Sequence, residues 1–229
     1  MVEIREFGTD WIIRSDTSVS PYNAANVTRF NQAAPLAKDG SKIIEGTRRI
    51  ALAAPEGGAA CIMTRDVLGY GTYEVTLIGR MDAFDPSVVA GIWTHNDLAP
   101  TTRNVEVDFE FGPWRDQNRT VSRMQLGVFV NGVRDGAHPQ KVFGAPSYLY
   151  HRITLHQFPA VCRVTCAGWW ELNQEWNDWA YAEWQVQTPE MGRFKIGCGP
   201  CAKDARYTLP KSASLPAKIV VAGFKFTPG

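Results

Sequence analysis

The sequence predicts an all-β protein, a sandwich or a barrel. Short apolar or alternating segments recur along most of the chain, turn signals separate many of them, and almost nothing carries a helical period. Sandwiches and barrels of 229 residues are routinely one domain. No internal repeat, low-complexity tract or linker divides the chain, so one domain over 1–229 is expected.

The strand candidates follow in chain order. DWIIRS (10–15), KIIEG (42–46) and RRIALAA (48–54) carry β-branched or apolar runs, with Asp39-Gly40 ahead of the second. ACIMTR (60–65) follows Gly57-Gly58, and GTYEVTLIGR (71–80) alternates apolar and polar residues. VVAGIWTH (88–95) follows Asp85-Pro86, and VEVDFEF (105–111) alternates throughout. RMQLGVFV (123–130) ends at Asn131-Gly132. HRITLHQF (151–158), VCRVTC (161–166), YAEWQVQ (181–187), FKIGC (194–198) and KIVVAGFKF (218–226) complete the set. The stretch EWNDWAYAEW (175–184) also admits a helical reading.

VEVDFEF holds the chemistry. A strand sends successive side chains to opposite faces, so Val105, Val107, Phe109 and Phe111 point to the core and Glu106, Asp108 and Glu110 share the other face. Like charges side by side destabilise a strand unless the site uses them. At about 3.4 Å per residue the outer two have Cα atoms roughly 13–14 Å apart. Side chains leaning inward on a twisted strand can close to the ~5–5.5 Å that retaining glycoside hydrolysis needs. That chemistry wants one carboxylate to attack an anomeric carbon and one carboxylic acid to protonate the leaving oxygen, a division that crowding of acids favours. A Ca²⁺ site and an edge strand made unattractive to other strands are the alternatives.

The remaining composition narrows the class. A net charge of +1 argues against a nucleic-acid binder. No apolar run nears the ~20 residues of a membrane span, and MVEIREFGTDW has no apolar leader core. Eight Trp suit a sugar-binding protein as well as a packed core. Five Cys cannot all pair within the chain. Cys162 and Cys166, with Cys198 and Cys201, invite a zinc reading, and Cys-Gly-Pro-Cys a redox one. The first pair lacks a knuckle-like turn and the second a βαβ setting, so buried thiols or a single disulfide are expected instead.

Glu-Val-Asp-Phe-Glu matches the E-x-D-x-E signature of glycoside hydrolase family 16, which includes lichenases, xyloglucan transglycosylases, laminarinases and agarases. GYGTYEVTLIGR (69–80) resembles that family's G-Y-G strand, DPSVVAGIWTH the strand after it, and MQLGVFVNG, YHRITLHQFPAVCRVTCAG and IVVAGFKF later ones. The resemblance covers roughly 40–228, and is strongest at 69–111. It implies a two-sheet antiparallel jelly roll, concanavalin A-like, with an open cleft on its concave face. It implies Glu106 as nucleophile, Asp108 as the residue that hydrogen-bonds and tunes it, and Glu110 as general acid then base. No cofactor is implied; a structural Ca²⁺ away from the cleft occurs in similar proteins and is not legible here. A polymeric substrate implies a secreted or periplasmic protein, although no leader is visible.

Further site candidates follow from the same likeness. Trp93 and His95 share a strand face, where Trp93 suits sugar stacking. Arg65 resembles a family Arg near the nucleophile, and Gln125, Gly127 and Phe129 alternate onto the cleft face of the next strand. The pattern departs from β-glucanases at Met63, Arg103 and His156-Gln157, positions that normally shape subsites. The Trp-rich segment 169–184, with Trp176 at its centre, reads as an added sugar-gripping wall or as a hydrophobic hairpin covering the sandwich, with a dimer contact as one use of that hairpin. The leading expectation is a retaining endo-glycoside hydrolase on a β-linked glucan or galactan. A transglycosylase of the same chemistry and a non-catalytic carbohydrate-binding sandwich are the alternatives, and the oligomeric state is unreadable.

Overall fold

The computed structural model describes residues 2–15, 22–55, 58–84, 88–95, 105–112, 123–130, 139–186, 192–200 and 218–229. These residues form two antiparallel sheets stacked as a jelly-roll sandwich, with single 3-10 turns at Ala24–Asn26 and Met81–Ala83. Among them no helix is long and apolar enough to cross a membrane.

The strands are β1 (Val2–Glu6), β2 (Thr9–Ile13), β3 (Val27–Asn31), β4 (Arg48–Ala53), β5 (Ala60–Thr64), β6 (Gly71–Ile78), β7 (Val88–His95), β8 (Val105–Gly112), β9 (Arg123–Val130) and β10 (Lys141–Gly144). They continue as β11 (Tyr150–Phe158), β12 (Val161–Trp170), β13 (Glu175–Gln185), β14 (Arg193–Pro200) and β15 (Lys218–Pro228). Eight strands run β1-β2-β5-β14-β7-β8-β9-β10 in the first sheet; seven run β13-β12-β11-β6-β15-β4-β3 in the second. Both sheets take strands from distant parts of the chain, and six of the thirteen pairings among the described residues join strands that are not consecutive.

Alternation builds the core between the sheets. Val107, Phe109 and Phe111 of β8 meet the inward residues of the second sheet, Tyr73, Val75 and Leu77 on β6 and Ile153 and Leu155 on β11. Phe109 and Phe111 pack edge to face at 4.9 Å, and Tyr73 stacks on Phe194 at 5.0 Å, geometries that suit the ring quadrupole. At the far edge Glu6 of β1, almost wholly buried, lies 3.6 Å from Arg29 and 3.4 Å from Arg48, joining the first sheet to β3 and β4 of the second.

Three expectations change. The strands β1, β3 and β10 were not foreseen. The β1–β2 hairpin turns on Phe7 and Gly8, both at positive φ (56° and 75°), a two-residue geometry whose twist matches the flanking strands. Residues 42–46 are not a strand: Ile43 and Ile44 pack with Ala37, Tyr150, Trp169 and Ala222 against the outer face of the second sheet. The Trp-rich segment 169–184 is a β-hairpin and not a helix: the end of β12 turns at 171–174 into β13, which pairs back on β12 from Glu175 to Gln185. Trp176 joins that outer cluster, with the Arg152 guanidinium 4.1 Å above its ring. It covers the sandwich from the sheet opposite β8, as the hairpin reading has it, and does not stand beside the acids as the wall reading would require.

Candidate active site

The strand β8 lies between β7 and β9, and the register aligns their outward residues in rows. Asp108 stands opposite Trp93 on β7 and Gly127 on β9; Glu110 stands opposite Gly91 and Gln125. Glu106 faces Phe129 on β9, while His95 of β7 reaches it with Nε2 at 3.6 Å from Oε2. That distance is too long for a hydrogen bond, and it becomes an ion pair when the imidazole is protonated. Gln125, 2 % exposed, donates from Nε2 to Glu110 Oε2 at 3.2 Å. Asp108 is buried between the two glutamates at 3 % exposure.

The three carboxylates open into one recess of about 170 Å³, lined also by Trp93, Tyr22, Gly91, Gly197 and Gly199. Two glycines make that space. A Cβ on Gly91 would lie 2.2 Å from the Phe109 carbonyl oxygen, so β7 can approach β8 this closely only without a side chain there. A Cβ on Gly197 of β14 would lie 2.7 Å from Trp93 Cη2, which shows the indole spread across the neighbouring strand. An aromatic plate beside acids in a recess is the arrangement that grips a sugar ring from its apolar face.

Of the residues expected from sequence, Glu106, Asp108, Glu110, Trp93, His95, Gln125 and Phe129 come together on this face. Arg65 does not join them. It lies just past β5, three strands from β8 and so roughly 14 Å across the sheet, and pairs with Glu3 at 3.3 Å. His156 and Gln157 do not shape the recess either: they belong to β11 in the second sheet, where Gln157 is buried. Met63 does share the outward face, opposite Lys195; Arg103 lies outside the described residues.

Sequence reading missed Tyr22, Arg193, Lys195 and Gly197. Tyr22 comes from an irregular stretch, bridged to Ala59 and carrying the Arg14 guanidinium 4.7 Å over its ring. The other three sit on β14, where alternation in FKIGC separates Lys195 and Gly197 from the buried Phe194, Ile196 and Cys198. The pattern signalled a face; only the pairing of β14 with β7 shows which one.

Cys61, Cys162, Cys166 and Cys198 are buried free thiols. Burial pushes Cys162 up to about 12 and Cys166 well above the ordinary thiol range. Cys198 sits within an antiparallel strand rather than at a helix N-terminus; Cys201 lies outside the described residues. Among the described residues no cluster of three or more His, Cys, Asp or Glu is placed to hold a metal ion.

Known structures share this architecture. A Bacillus licheniformis β-glucanase superposes with a TM-score of 0.55 at 16% identity, covering 91% of this chain and 94% of its own. A Bacteroides ovatus GH16 protein of a mixed-linkage glucan locus, in complex with a G4G4G3G product, gives 0.60 at 12%, covering 95% and 94%. Porphyranase B of Zobellia galactanivorans gives 0.55 at 12%, covering 98% and 87%. The sequence matches no protein-family model and no curated protein sequence. The likeness is thus one of architecture along nearly the whole chain, and the fold is that of the glycoside hydrolase family 16 enzymes.

Proposed function

We propose that this protein is a retaining glycoside hydrolase that cuts a β-linked polysaccharide within the chain. The observation that carries the reading is the placement of Glu106, Asp108 and Glu110 at successive same-face positions of β8, all lining one recess beside Trp93. The fold is consistent with it, since the similar structures include a β-glucanase and a porphyranase.

In this reading Glu106 attacks the anomeric carbon and forms a glycosyl ester as the glycosidic C–O bond breaks. Glu110 gives its proton to the departing oxygen, then takes one from the water that cleaves the ester, and two inversions retain configuration. Asp108, between them, holds the nucleophile in place. Gln125 donates its amide N–H to one oxygen of Glu110 and so orients the carboxyl group. Such cleavage of a polymer suits a protein outside the cytoplasm.

The test is a panel of β-glucans, xyloglucan, agar, carrageenan and other galactans, run beside Glu106→Gln. The expected result is reducing-end release by the wild type alone, with the β-anomer appearing first in a time-resolved NMR spectrum. Products longer than the substrate oligosaccharide would mean that sugar, rather than water, resolves the intermediate, giving a transglycosylase. A polymer bound by both proteins and cut by neither would replace catalysis with a binding module.

A further inference from the structure

The row through Glu106 continues past His95 to a cation. Arg193 of β14 stands directly opposite His95, and Phe194, Ile196 and Cys198 between its neighbours point to the core, so Arg193 shares the outward face with Trp93 and Glu106. Facing residues on paired strands have Cβ atoms about 4.5–5.5 Å apart, which puts Arg193 two strands, roughly 10 Å, from Glu106. Two places along β14 Lys195 occupies the same face beside Trp93, only 2 % exposed.

These charges are local. The whole chain is nearly neutral, at +1, so two cations flanking the acids do not reflect a basic protein. Nor does Arg193 neutralise the acids. His95 stands between it and Glu106, and among the described residues no carboxylate lies within ion-pair distance of its guanidinium. Arg65, one strand farther out, is already held by Glu3. A partly exposed guanidinium with no carboxylate against it among the described residues, on the same face as the Trp93 indole, is a fork of donors that fits an oxyanion bidentately.

We propose that Arg193 binds an anionic substituent of the polysaccharide, a sulfate ester or a carboxylate, on a sugar lying across β7 and β14 beyond Trp93. Lys195 adds positive potential to the same strip. This rests on the reading of the recess as a polysaccharide site, and it narrows the substrate to a charged polymer.

The test separates binding from cutting. Glu106→Gln and Glu106→Gln with Arg193→Gln are run by affinity electrophoresis at fixed ionic strength through a sulfated galactan, the same galactan after desulfation, and a polyuronate. Melting temperatures confirm that both fold. The expected result is retardation at least tenfold stronger by a charged polymer than by the desulfated one, with most of that preference lost on Arg193→Gln. Preference for the galactan sulfate or for the polyuronate identifies the anion. Equal retardation by charged and desulfated polymers, a preference that survives Arg193→Gln, or no retardation at all overturns the inference. Hydrolysis assays on the wild type, run in parallel, report the parent reading separately: a neutral glucan cut efficiently, with no anionic preference, sinks this inference and leaves the hydrolase standing.

Discussion

Acid should destabilise this protein through one buried histidine behind β8. His151 of β11 is fully buried, with Nε2 3.1 Å from the Gly79 carbonyl oxygen and 3.0 Å from that of Tyr148. Both contacts fix the proton on Nε2, and Nδ1 has no partner among the described residues. Phe111, Tyr148 and Trp179 pack around the ring. Burial lowers its pKa to about 4, against the pull of the two carbonyls and of Asp82. An unfolded histidine takes its proton near 6.5, so the unfolded state binds more protons between those values and stability falls as pH falls. The contribution is intact above about pH 6.5 and lost as pH drops toward 4. Each unit in that window costs about 1.36 kcal/mol, so at pH 5 the loss is about 2 kcal/mol. Urea unfolding followed by tryptophan fluorescence at pH 7.5 and pH 5.0, for the wild type and His151→Gln, measures it. His156, lowered mainly by its burial and also by Arg163, is common to both proteins and cancels in the comparison. Equal losses in the two proteins would refute the assignment to His151.

Two substitutions probe the recess and the core behind it. In Gly197→Ala the new Cβ, 2.7 Å from Trp93 Cη2, should tip the indole off β14 and weaken polysaccharide retardation severalfold while the melting temperature barely moves; unchanged retardation would mean Trp93 is not the platform. Gln157 is buried, with neither amide atom partnered among the described residues, so Gln157→Met should raise stability by about 1–2 kcal/mol. A lower urea midpoint would show that the amide is satisfied in solution.

The sequence carried the site further than the fold around it. Alternation in VEVDFEF sufficed to put three acids on one face, because period 2 is a property of the backbone and needs no tertiary information. Trp93 with His95, and Gln125 with Phe129, were legible for the same reason once their strands were placed on either side of β8. What alternation cannot give is which strand lies beside which. Arg65 was set near the nucleophile by family likeness alone, yet β14, from the C-terminal third, intervenes between β5 and β7. The same insertion hid Arg193 and Lys195. Ile43 and Ile44 look like any strand segment, since an apolar run reads alike whether it pairs in a sheet or lies across one. The tryptophans of β13 follow that logic: Trp176 serves a second, smaller core on the outside of the sandwich, which has no signature distinct from sugar binding.

Why β8 tolerates its acids can be weighed. Neighbouring acids on one face have Cα atoms about 7 Å apart, and two full charges at that distance repel by roughly 2 kcal/mol at an effective dielectric near 20. Two such neighbours therefore cost about 5 kcal/mol. On the other face Val107, Phe109 and Phe111 are buried, and each contributes about 1.5–3 kcal/mol, so the apolar face alone offsets the repulsion. The partners chosen for the acids point the same way. A protein needing only stability would set a cation directly against each carboxylate. Here the His95 imidazole lies 3.6 Å from Glu106, the Gln125 amide donates to Glu110, and Arg193 stands one strand farther from Glu106 than His95. Moving Arg193 against Glu106 would quiet the strand, and it would also hold as a fixed ion pair the carboxylate that the proposed reaction uses as its nucleophile. In the proposed reading the spacing keeps Glu106 out of a fixed pair with Arg193 and sets the guanidinium where it meets a charge carried by the substrate.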